Sequence, residues 1–293
     1  MTDKTGGKTL LYQIAPTGNY MMSFVIVTKE NNAIVIDGGR PSDMPRLKEY
    51  IGGRKIKAWI MTHPHEDHLG GLVSELERNG GADFDVEAFY YNFPSYEKWS
   101  RLTERDVPCY SYFMDEINEL LPAFLRVFPL IESRAHVVTK GDSVTIDECR
   151  IDFLYSFRDG MYSNPINDAS LAFKLVTPRK SVMFLGDLGA DGGDVLFEES
   201  GDLLRADIVQ MAHHGHMNVG FEVYAAIAPT VCLWCCPDWL YEEKALFPQT
   251  DFERIRKMKR SRLFGTEMTR AWMDMLGVRE HYVSKDGTHE IEL

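Results

Sequence analysis

The sequence has no long hydrophobic run. None of its apolar stretches approaches the roughly 18 to 20 residues that span a bilayer, and residues 1–7 lack the apolar core of a secretory signal peptide. These absences argue against a membrane-spanning or exported protein. We therefore expect a soluble cytoplasmic protein without a membrane partner.

Cysteine is scarce, and its number is odd. The chain has five cysteines, which are Cys109, Cys149, Cys232, Cys235 and Cys236. An odd number without a pairing pattern indicates reduced thiols. The last three could form a zinc knuckle, but no second pair of thiols exists to complete a tetrahedral site. We interpret residues 231–236 as a buried strand.

Basic residues are outnumbered by acidic ones, at 32 against 44, which gives a formal net charge of −12. This balance disfavours long-range attraction to nucleic acid or to an anionic membrane. The densest basic run extends from Arg254 to Arg262, and its spacing is typical of the exposed face of a helix. Extended nucleic acid is therefore an uncertain partner, and the oligomeric state is unknown.

No linker, low-complexity tract or repeat divides the 293 residues, which predicts a single domain over 1–293. Short apolar stretches at 24–27 and 33–36 predict a hairpin, and six more short strands are predicted between 143 and 235. Short strands with few helices between them indicate an α/β (α+β) fold, in which two mixed sheets pack face to face with helices outside.

Residues 84–140 differ from the rest because they are rich in aromatic side chains. An apolar pattern from Ile117 to Phe128 predicts a helix that Pro122 must kink or restart. We interpret the segment as an insertion, which is either a satellite helix packed on the core or a lid whose aromatic side chains line a substrate entrance.

The most informative stretch places three histidines and an aspartate within six positions, as His63, His65, Asp67 and His68. This mixed nitrogen and oxygen set indicates a catalytic metal more than a structural one. It follows an apolar strand at 56–61 and precedes a predicted helix, so it lies on a strand-to-helix turn. In extended backbone, residues two apart point the same way. His63 and His65 can therefore bind one ion, while Asp67 and His68 face a second position.

Further candidate ligands lie at the ends of predicted strands. Asp187 follows one strand, the pair His213 and His214 follows another, and Asp168 precedes a third. If these strand ends converge on one rim, their side chains complete a metal site together with the histidine-rich motif.

The order of these motifs resembles the metallo-β-lactamase superfamily. The motifs are Asp37-Gly38-Gly39, His63-x-His65-x-Asp67-His68, Gly186-Asp187 and His213-His214-Gly215. The stretches around the later motifs and Asp168 are most similar to the hydrolase domain of the competence protein ComEC and its free-standing relatives. The resemblance covers roughly 12–292, apart from the aromatic segment. It implies an αββα sandwich with two divalent metal ions, usually zinc and sometimes manganese.

The chain departs from the superfamily pattern in three ways. Many members have another histidine between the first motif and the bridging aspartate, where this chain has only His136. We expect Asp168 to complete the first metal site instead, with His136 as the alternative. The ComEC-like pattern carries serine where His216 stands, and histidine where Phe247 precedes Pro248. These two changes put the relatives' substrate in doubt for this chain.

The resemblance also implies roles for the candidate residues. The implied metal ligands are His63, His65, Asp67, His68, Asp168, Asp187, and His213 or His214, between which the sequence does not decide. Asp187 would bridge the ions, and Asp67 would also orient the nucleophile. Asp37 would not bind a metal directly but would fix the orientation of a ligand or the conformation of the turn. His216 is the candidate proton donor to the leaving group.

These roles predict a metal-dependent hydrolase whose nucleophile is a metal-bridging hydroxide. The expected substrate is a phosphodiester, whether a small phosphodiester, a nucleotide or a nucleic acid. One alternative is hydrolysis of a carboxylic ester, lactone or thioester on the same dinuclear centre. Another is a scaffold that binds metal without catalysis, since a fold does not by itself establish an activity.

Overall fold

Two seven-stranded sheets form the body of the protein. The structure is a computed structural model, and it describes residues 7–108, 110–161, 163–242 and 265–293. The first sheet contains, in spatial order, β14 (His289–Glu292), β1 (Leu10–Gln13), β2 (Phe24–Val27), β3 (Ala33–Ile36), β4 (Ile56–Met61), β5 (Phe89–Tyr91) and β6 (Ala135–Val137). The second contains β13 (Glu280–Val283), β12 (Val231–Trp234), β11 (Ile208–Gln210), β10 (Ser181–Phe184), β9 (Ala172–Val176), β8 (Cys149–Tyr155) and β7 (Ser143–Ile146).

Helices cover the outer faces of both sheets. They are α1 (Met44–Ile51), α2 (Gly71–Asn79), α3 (Tyr96–Trp99), α4 (Tyr110–Val127), α5 (Ala190–Ser200), α6 (Phe221–Ile227), α7 (Asp238–Tyr241) and α8 (Thr266–Met275). Helices α1, α2 and α4 share a core with the first sheet, and α5, α6 and α8 share one with the second. The predicted architecture of two mixed sheets flanked by helices is confirmed.

Alternation along the strands produces these layers. In β2, Phe24 and Ile26 point between the sheets, whereas Val25 and Val27 point toward the helices. The Phe24 ring packs edge-on against Phe184 of the second sheet, with 5.2 Å between the ring centroids. Because central strands are covered on both faces, their sequences are continuously apolar. This explains why their short apolar runs were recognisable as strands.

Parallel pairing brings the sequence motifs together. Strands β3 and β4 are parallel neighbours in the first sheet, as are β10 and β11 in the second. In each pair the carboxyl ends meet at the same edge of the sheet, which is where α/β proteins place their ligands. The backbone N–H of Leu171 donates to Thr62 O at 3.0 Å and ties the two sheets together at this edge.

The predicted elements are present with small shifts. The hairpin between β2 and β3 is confirmed. The sequence predicts that Pro122 kinks or restarts the helix; a restart does not occur, because α4 is a single element that contains Pro122, and the kink stays a prediction. Buried side chains on both sides of the proline, including Leu121 and Phe124, hold the helix in place. This packing offsets the roughly 3 kcal/mol that proline costs within a helix.

The aromatic segment is partly core. Strands β5 and β6 extend the first sheet in parallel with β4, so only the connection containing α3 and α4 projects from it. Leu120 and Phe124 of α4 pack in the same core as α2, while Phe113 and Ile117 pack with Trp99 in a separate cluster. Helix α4 therefore has the packing predicted for a satellite helix, and its remaining face borders the site described below.

Some sequence expectations concern other parts of the chain. In the described residues no helix combines the length and apolar character needed to cross a membrane. Cys232 lies within β12 and Cys235 follows it; both are buried, and burial raises the pKa of both thiols. The basic run at 254–262, Cys109 and the Phe247-Pro248 pair lie outside the described residues.

Candidate metal centre

The histidine-rich motif follows β4 and enters α2 through a single π-helical turn, Glu66–Gly70. The turn lies against the loop after β3, and a Cβ atom on Gly71 would stand 2.4 Å from the carbonyl oxygen of Gly38. A side chain at Gly71 would therefore separate the two loops. Glycine here permits the close backbone contact that aims the motif at the edge of the sandwich.

His63 and His65 form one candidate ligand cluster with Asp187. His63 Nε2 lies 2.9 Å from His65 Nδ1 and 3.8 Å from Asp187 Oδ2. His63 and Asp187 are buried, and His65 is nearly so. The extended backbone of the motif thus places both histidines on one side, as their spacing predicts.

Asp67, His68 and His214 form the second candidate ligand cluster. His214 Nε2 lies 3.0 Å from Asp67 Oδ2, and His68 Nε2 lies 3.7 Å from the same oxygen. Asp187 also approaches this cluster, with Oδ1 at 3.2 Å from His68 Nε2 and Oδ2 at 3.3 Å from His214 Nε2. One carboxylate therefore stands between two groups of ligand atoms.

These residues fit two divalent ions. Among the described residues, Asp67 Oδ2, His68 Nε2, Asp187 Oδ1 and His214 Nε2 are buried without an aligned hydrogen-bond partner. Such orphaned groups are costly unless something else binds them. Two ligands that each lie near 2.1 Å from a tetrahedral zinc ion are about 3.4 Å apart, a value within the range of the separations between these atoms. The donor set of imidazoles and carboxylates suits zinc, iron or manganese.

Hydrogen bonds behind the ligands aim their rings. The Nδ1 atom of His68 lies 2.8 Å from Asp37 Oδ2, and the Nδ1 atom of His214 lies 2.7 Å from the carbonyl oxygen of Cys235. Asp37 is held by Thr62, which donates from its backbone N–H at 2.8 Å and from its hydroxyl at 2.7 Å. An Nδ1–H donated to these acceptors leaves Nε2 free to bind metal.

Charges inside the cluster are strongly coupled. Burial opposes ionisation of Asp67 and Asp187, but His68 and His214 hold the pKa of each carboxyl below its ordinary value. Burial likewise disfavours the charged histidines, yet Asp187 and Asp67 raise the pKa of His68 well above 6.5 and that of His214 to about 9. Without metal, protons on these two histidines balance the carboxylates.

The structure distinguishes the two adjacent histidines. His214 belongs to the second ligand cluster, whereas His213 belongs to neither cluster found among the described residues. His213 Nε2 lies 3.4 Å from Asn167 Nδ2, and its Nδ1 lies 3.3 Å from Met217 O. Both histidines have left-handed backbones, with φ of 47° and 55°. Such strain costs about 1 to 3 kcal/mol per residue and often accompanies function.

Asp168 and His136 lie outside both clusters. Asp168 is buried beside the start of α5, where its Oδ1 accepts the backbone N–H of Gly192 at 3.1 Å. Burial raises the pKa of its carboxyl to about 7. His136 lies on β6, at the edge of the first sheet, and is stacked on Tyr90. Neither residue belongs to a ligand cluster found among the described residues, so the residue that completes the first metal site stays a prediction.

His216 lies near the centre without joining a ligand cluster. Its ring centroid is 4.5 Å from that of His213, and it lines the cavity over the metal centre. Burial lowers the pKa of its imidazole to about 2, which favours a neutral ring that can still donate one N–H. Its role as proton donor stays a prediction.

The cavity over the site has a volume of about 1050 Å³. Its acidic lining residues are Glu66, Asp67, Asp115, Glu116, Glu119, Asp168, Asp187 and Asp191. Arg40 is the one lysine or arginine among the described lining residues, and it pairs with Glu66. The Tyr20 ring packs on His214 at a centroid distance of 4.9 Å. The cavity is therefore predominantly acidic.

Sequence reasoning offered aromatic side chains of this segment as a lining of the substrate entrance, but it missed the acidic residues that α4 contributes to the cavity wall. Tyr112, Asp115, Glu116 and Glu119 line the cavity and are spaced i, i+3, i+4 and i+7. This spacing marks one helix face. This spacing is present in the sequence beside the apolar stripe of α4 and could have identified the helix face. Only the fold shows that this face borders the metal centre.

Residues 18–145 match the family model described as "Metallo-beta-lactamase superfamily". Among curated proteins, the chain is similar to ribonuclease Z of Saccharolobus islandicus, at 23% identity over 150 residues. That alignment covers 47% of this chain and 50% of the relative. The chain therefore spans about half the length of the curated relatives it matches.

Solved structures show the same fold. The metallo-beta-lactamase fold protein YhfI of Bacillus subtilis has 14% identity and a TM-score of 0.54, with 97% of this chain and 99% of that chain covered. CmlA, a diiron beta-hydroxylase of Streptomyces venezuelae, has 12% identity and a TM-score of 0.53, with 99% and 55% covered. At these identities the likeness concerns architecture alone.

Proposed function

We propose that the chain is a metal-dependent hydrolase of the metallo-beta-lactamase superfamily, whose family model matches residues 18–145, and that it hydrolyses a small phosphodiester at a centre of two zinc ions. The observation that carries this proposal is the placement of Asp187 between two clusters of buried ligand atoms at the base of one cavity. Manganese is the alternative metal, although the four clustered histidines favour zinc.

The proposed first site consists of His63, His65 and Asp187, and the second of Asp67, His68, His214 and the same Asp187. Two divalent ions in these sites would lower the pKa of a shared water and offset the negative charge that develops on the scissile group. Asp67 remains ionised within the cluster, so its carboxylate can accept a hydrogen bond from that water and orient it. His216 borders the same cavity, and its proposed role is to donate its N–H to the leaving oxygen.

A phosphodiester is supported by similarity to a protein named ribonuclease Z. The negative charge of the cavity lining supports a small substrate. Asp67 and Asp187 would bind the metals, but Asp115 and Glu119 add further negative charge, and no cationic partner is recorded for either in the described part of the chain. This charge would repel the successive phosphates of a polynucleotide more strongly than a single phosphodiester.

The test combines metal analysis with hydrolysis assays. Purified protein should contain about two zinc or manganese ions and should cleave bis-p-nitrophenyl phosphate faster than a short single-stranded RNA. Asp67→Ala should abolish this cleavage. Asp202→Ala, which changes an exposed aspartate outside the cavity lining, serves as the matched control.

Three outcomes would contradict the proposal. Cleavage of p-nitrophenyl acetate alone would favour the carboxylic ester, lactone or thioester class. Preferential cleavage of RNA would overturn the argument from cavity charge. Two bound ions without hydrolysis of any of these substrates would favour a metal-binding scaffold.

A further inference from the structure

Each candidate histidine ligand has a partner behind its ring, and the partner of His65 comes from an unexpected element. His65 Nε2 lies 3.3 Å from Glu116 Oε1. Glu116 belongs to α4, in the connection between β5 and β6. The other partners belong to the two sheets and the loops beside them, and they are Asp37 for His68, Cys235 for His214 and the Thr62 hydroxyl for His63, whose Nδ1 lies 3.2 Å from it. The connection between β5 and β6 therefore contacts the side of the His65 ring that faces away from the first ligand cluster.

The two nitrogens of His65 face different surroundings. Its Nδ1 lies 2.9 Å from His63 Nε2, which is itself 3.8 Å from Asp187 Oδ2, so Nδ1 points into the first ligand cluster. The two nitrogens of an imidazole diverge and cannot bind the same ion. Nε2 must point away, and it is buried without an aligned hydrogen bond, with the Glu116 carboxylate in ion-pair range.

We propose that Glu116 is a positioning residue that accepts the Nε2–H of His65 and holds Nδ1 toward the first metal ion, so that α4 is part of the metal centre. Carboxylate partners of this kind fix the tautomer and orientation of a histidine ligand and increase its basicity. The inference rests on the two-ion centre of the proposed function, but not on the substrate.

Packing fixes Glu116 in this place. One side of α4 packs against the core that contains α2, through Leu120 and Phe124. The other packs through Ile117 and Leu121 in a cluster that includes Ala169, close to the strand-end loop of Asp168. Because α4 is packed on two sides, the position of the Glu116 carboxylate is fixed. The Glu116 side chain is only 17% exposed.

Glu119 provides a matched control. It lies one helical turn after Glu116, lines the same cavity and has no recorded contact with a histidine in the described structure. Alanine is the best helix former, so neither Glu116→Ala nor Glu119→Ala should unfold α4. Circular dichroism and urea unfolding in the presence of EDTA check this directly.

The experiment measures Zn²⁺ affinity by competition with a chromogenic chelator in the full chain. Glu116→Ala should weaken one of the two ions by about 10- to 100-fold, the range found for outer partners of metal ligands, and leave the other unchanged. In the Co²⁺-substituted protein, the visible absorption of one ion should shift. Glu119→Ala should bind both ions as the unmodified protein does.

Equal affinities in Glu116→Ala and Glu119→Ala would overturn the proposal. So would complete loss of one ion from Glu116→Ala, because that result would make Glu116 a direct ligand. Since zinc affinity and the cobalt spectrum need no substrate, they remain informative if phosphodiester hydrolysis is absent. Failure of the proposed substrate and failure of this inference are therefore separate results.

Discussion

The hydrogen bonds of Asp37 allow a quantitative prediction, because its carboxylate has separable partners. One oxygen accepts the backbone N–H of Thr62, and the other accepts the Thr62 hydroxyl and pairs with His68. Asp37→Asn should retain the backbone bond and lose the charge-assisted one, at a cost of about 2 kcal/mol. Asp37→Ala also leaves the buried backbone N–H of Thr62 without its acceptor, which should raise the total cost to about 4 kcal/mol.

Urea unfolding of the metal-free protein in EDTA measures these differences. Zinc affinity should also fall about 10- to 100-fold in Asp37→Asn, because the His68 ring is no longer held for the second ion. Asp43→Asn is the control: Asp43 is equally buried and accepts backbone N–H groups, but no contact with a ligand histidine is recorded for it in the described structure. Its substitution should leave zinc affinity unchanged.

Two results would refute this reasoning. If Asp37→Asn and Asp37→Ala destabilise the protein equally, the Thr62 backbone bond does not contribute as calculated. If Asp37→Asn binds zinc as tightly as the unmodified protein, Asp37 does not orient His68.

Three further predictions follow from the same geometry. His214→Ala should lose the second ion in elemental analysis while His213→Ala retains both, and the reverse pattern would reassign the ligand. Gly71→Ala should destabilise the protein and lower its zinc content, because its Cβ would collide with Gly38 O; normal urea unfolding and full zinc content would contradict this. In the metal-free protein His214 has a pKa near 9, above the ordinary 6.5, so its stabilising contribution is complete below pH 6.5 and lost as the pH rises through 9. Urea unfolding across this range in EDTA should show falling stability, and a flat or rising profile would contradict the assignment.

The sequence was most informative where the relevant geometry is local. The spacing of His63, His65, Asp67 and His68 after an apolar strand predicts where their side chains point, because strand and turn geometry act over a few residues. Asp187 was recognisable for a similar reason, since it directly follows a short apolar strand. The layered fold was predictable because fully covered strands are continuously apolar.

Long-range docking limited the remaining predictions. Nothing in the pair His213-His214 reveals that both backbones are left-handed, and this geometry decides which ring reaches the ligand cluster. Asp168 has the expected residue type beside a strand, but one of its carboxylate oxygens accepts a backbone N–H at the start of α5, and it joins neither ligand cluster found among the described residues. Glu116 meets His65 only because α4 packs across the edge of the sandwich. Contacts of this kind depend on tertiary packing and leave only a weak local pattern.

The ligand clusters draw on both halves of the chain, which has a consequence for folding. His63, His65, Asp67 and His68 follow a strand of the first sheet, whereas Asp187 and His214 follow strands of the second. Neither cluster is complete until the two sheets have docked. Ions that bind only the finished arrangement should slow unfolding and scarcely accelerate folding, because they stabilise contacts that are absent from the transition state. The metals would then give the native state kinetic stability, with a long lifetime before unfolding, without guiding its formation.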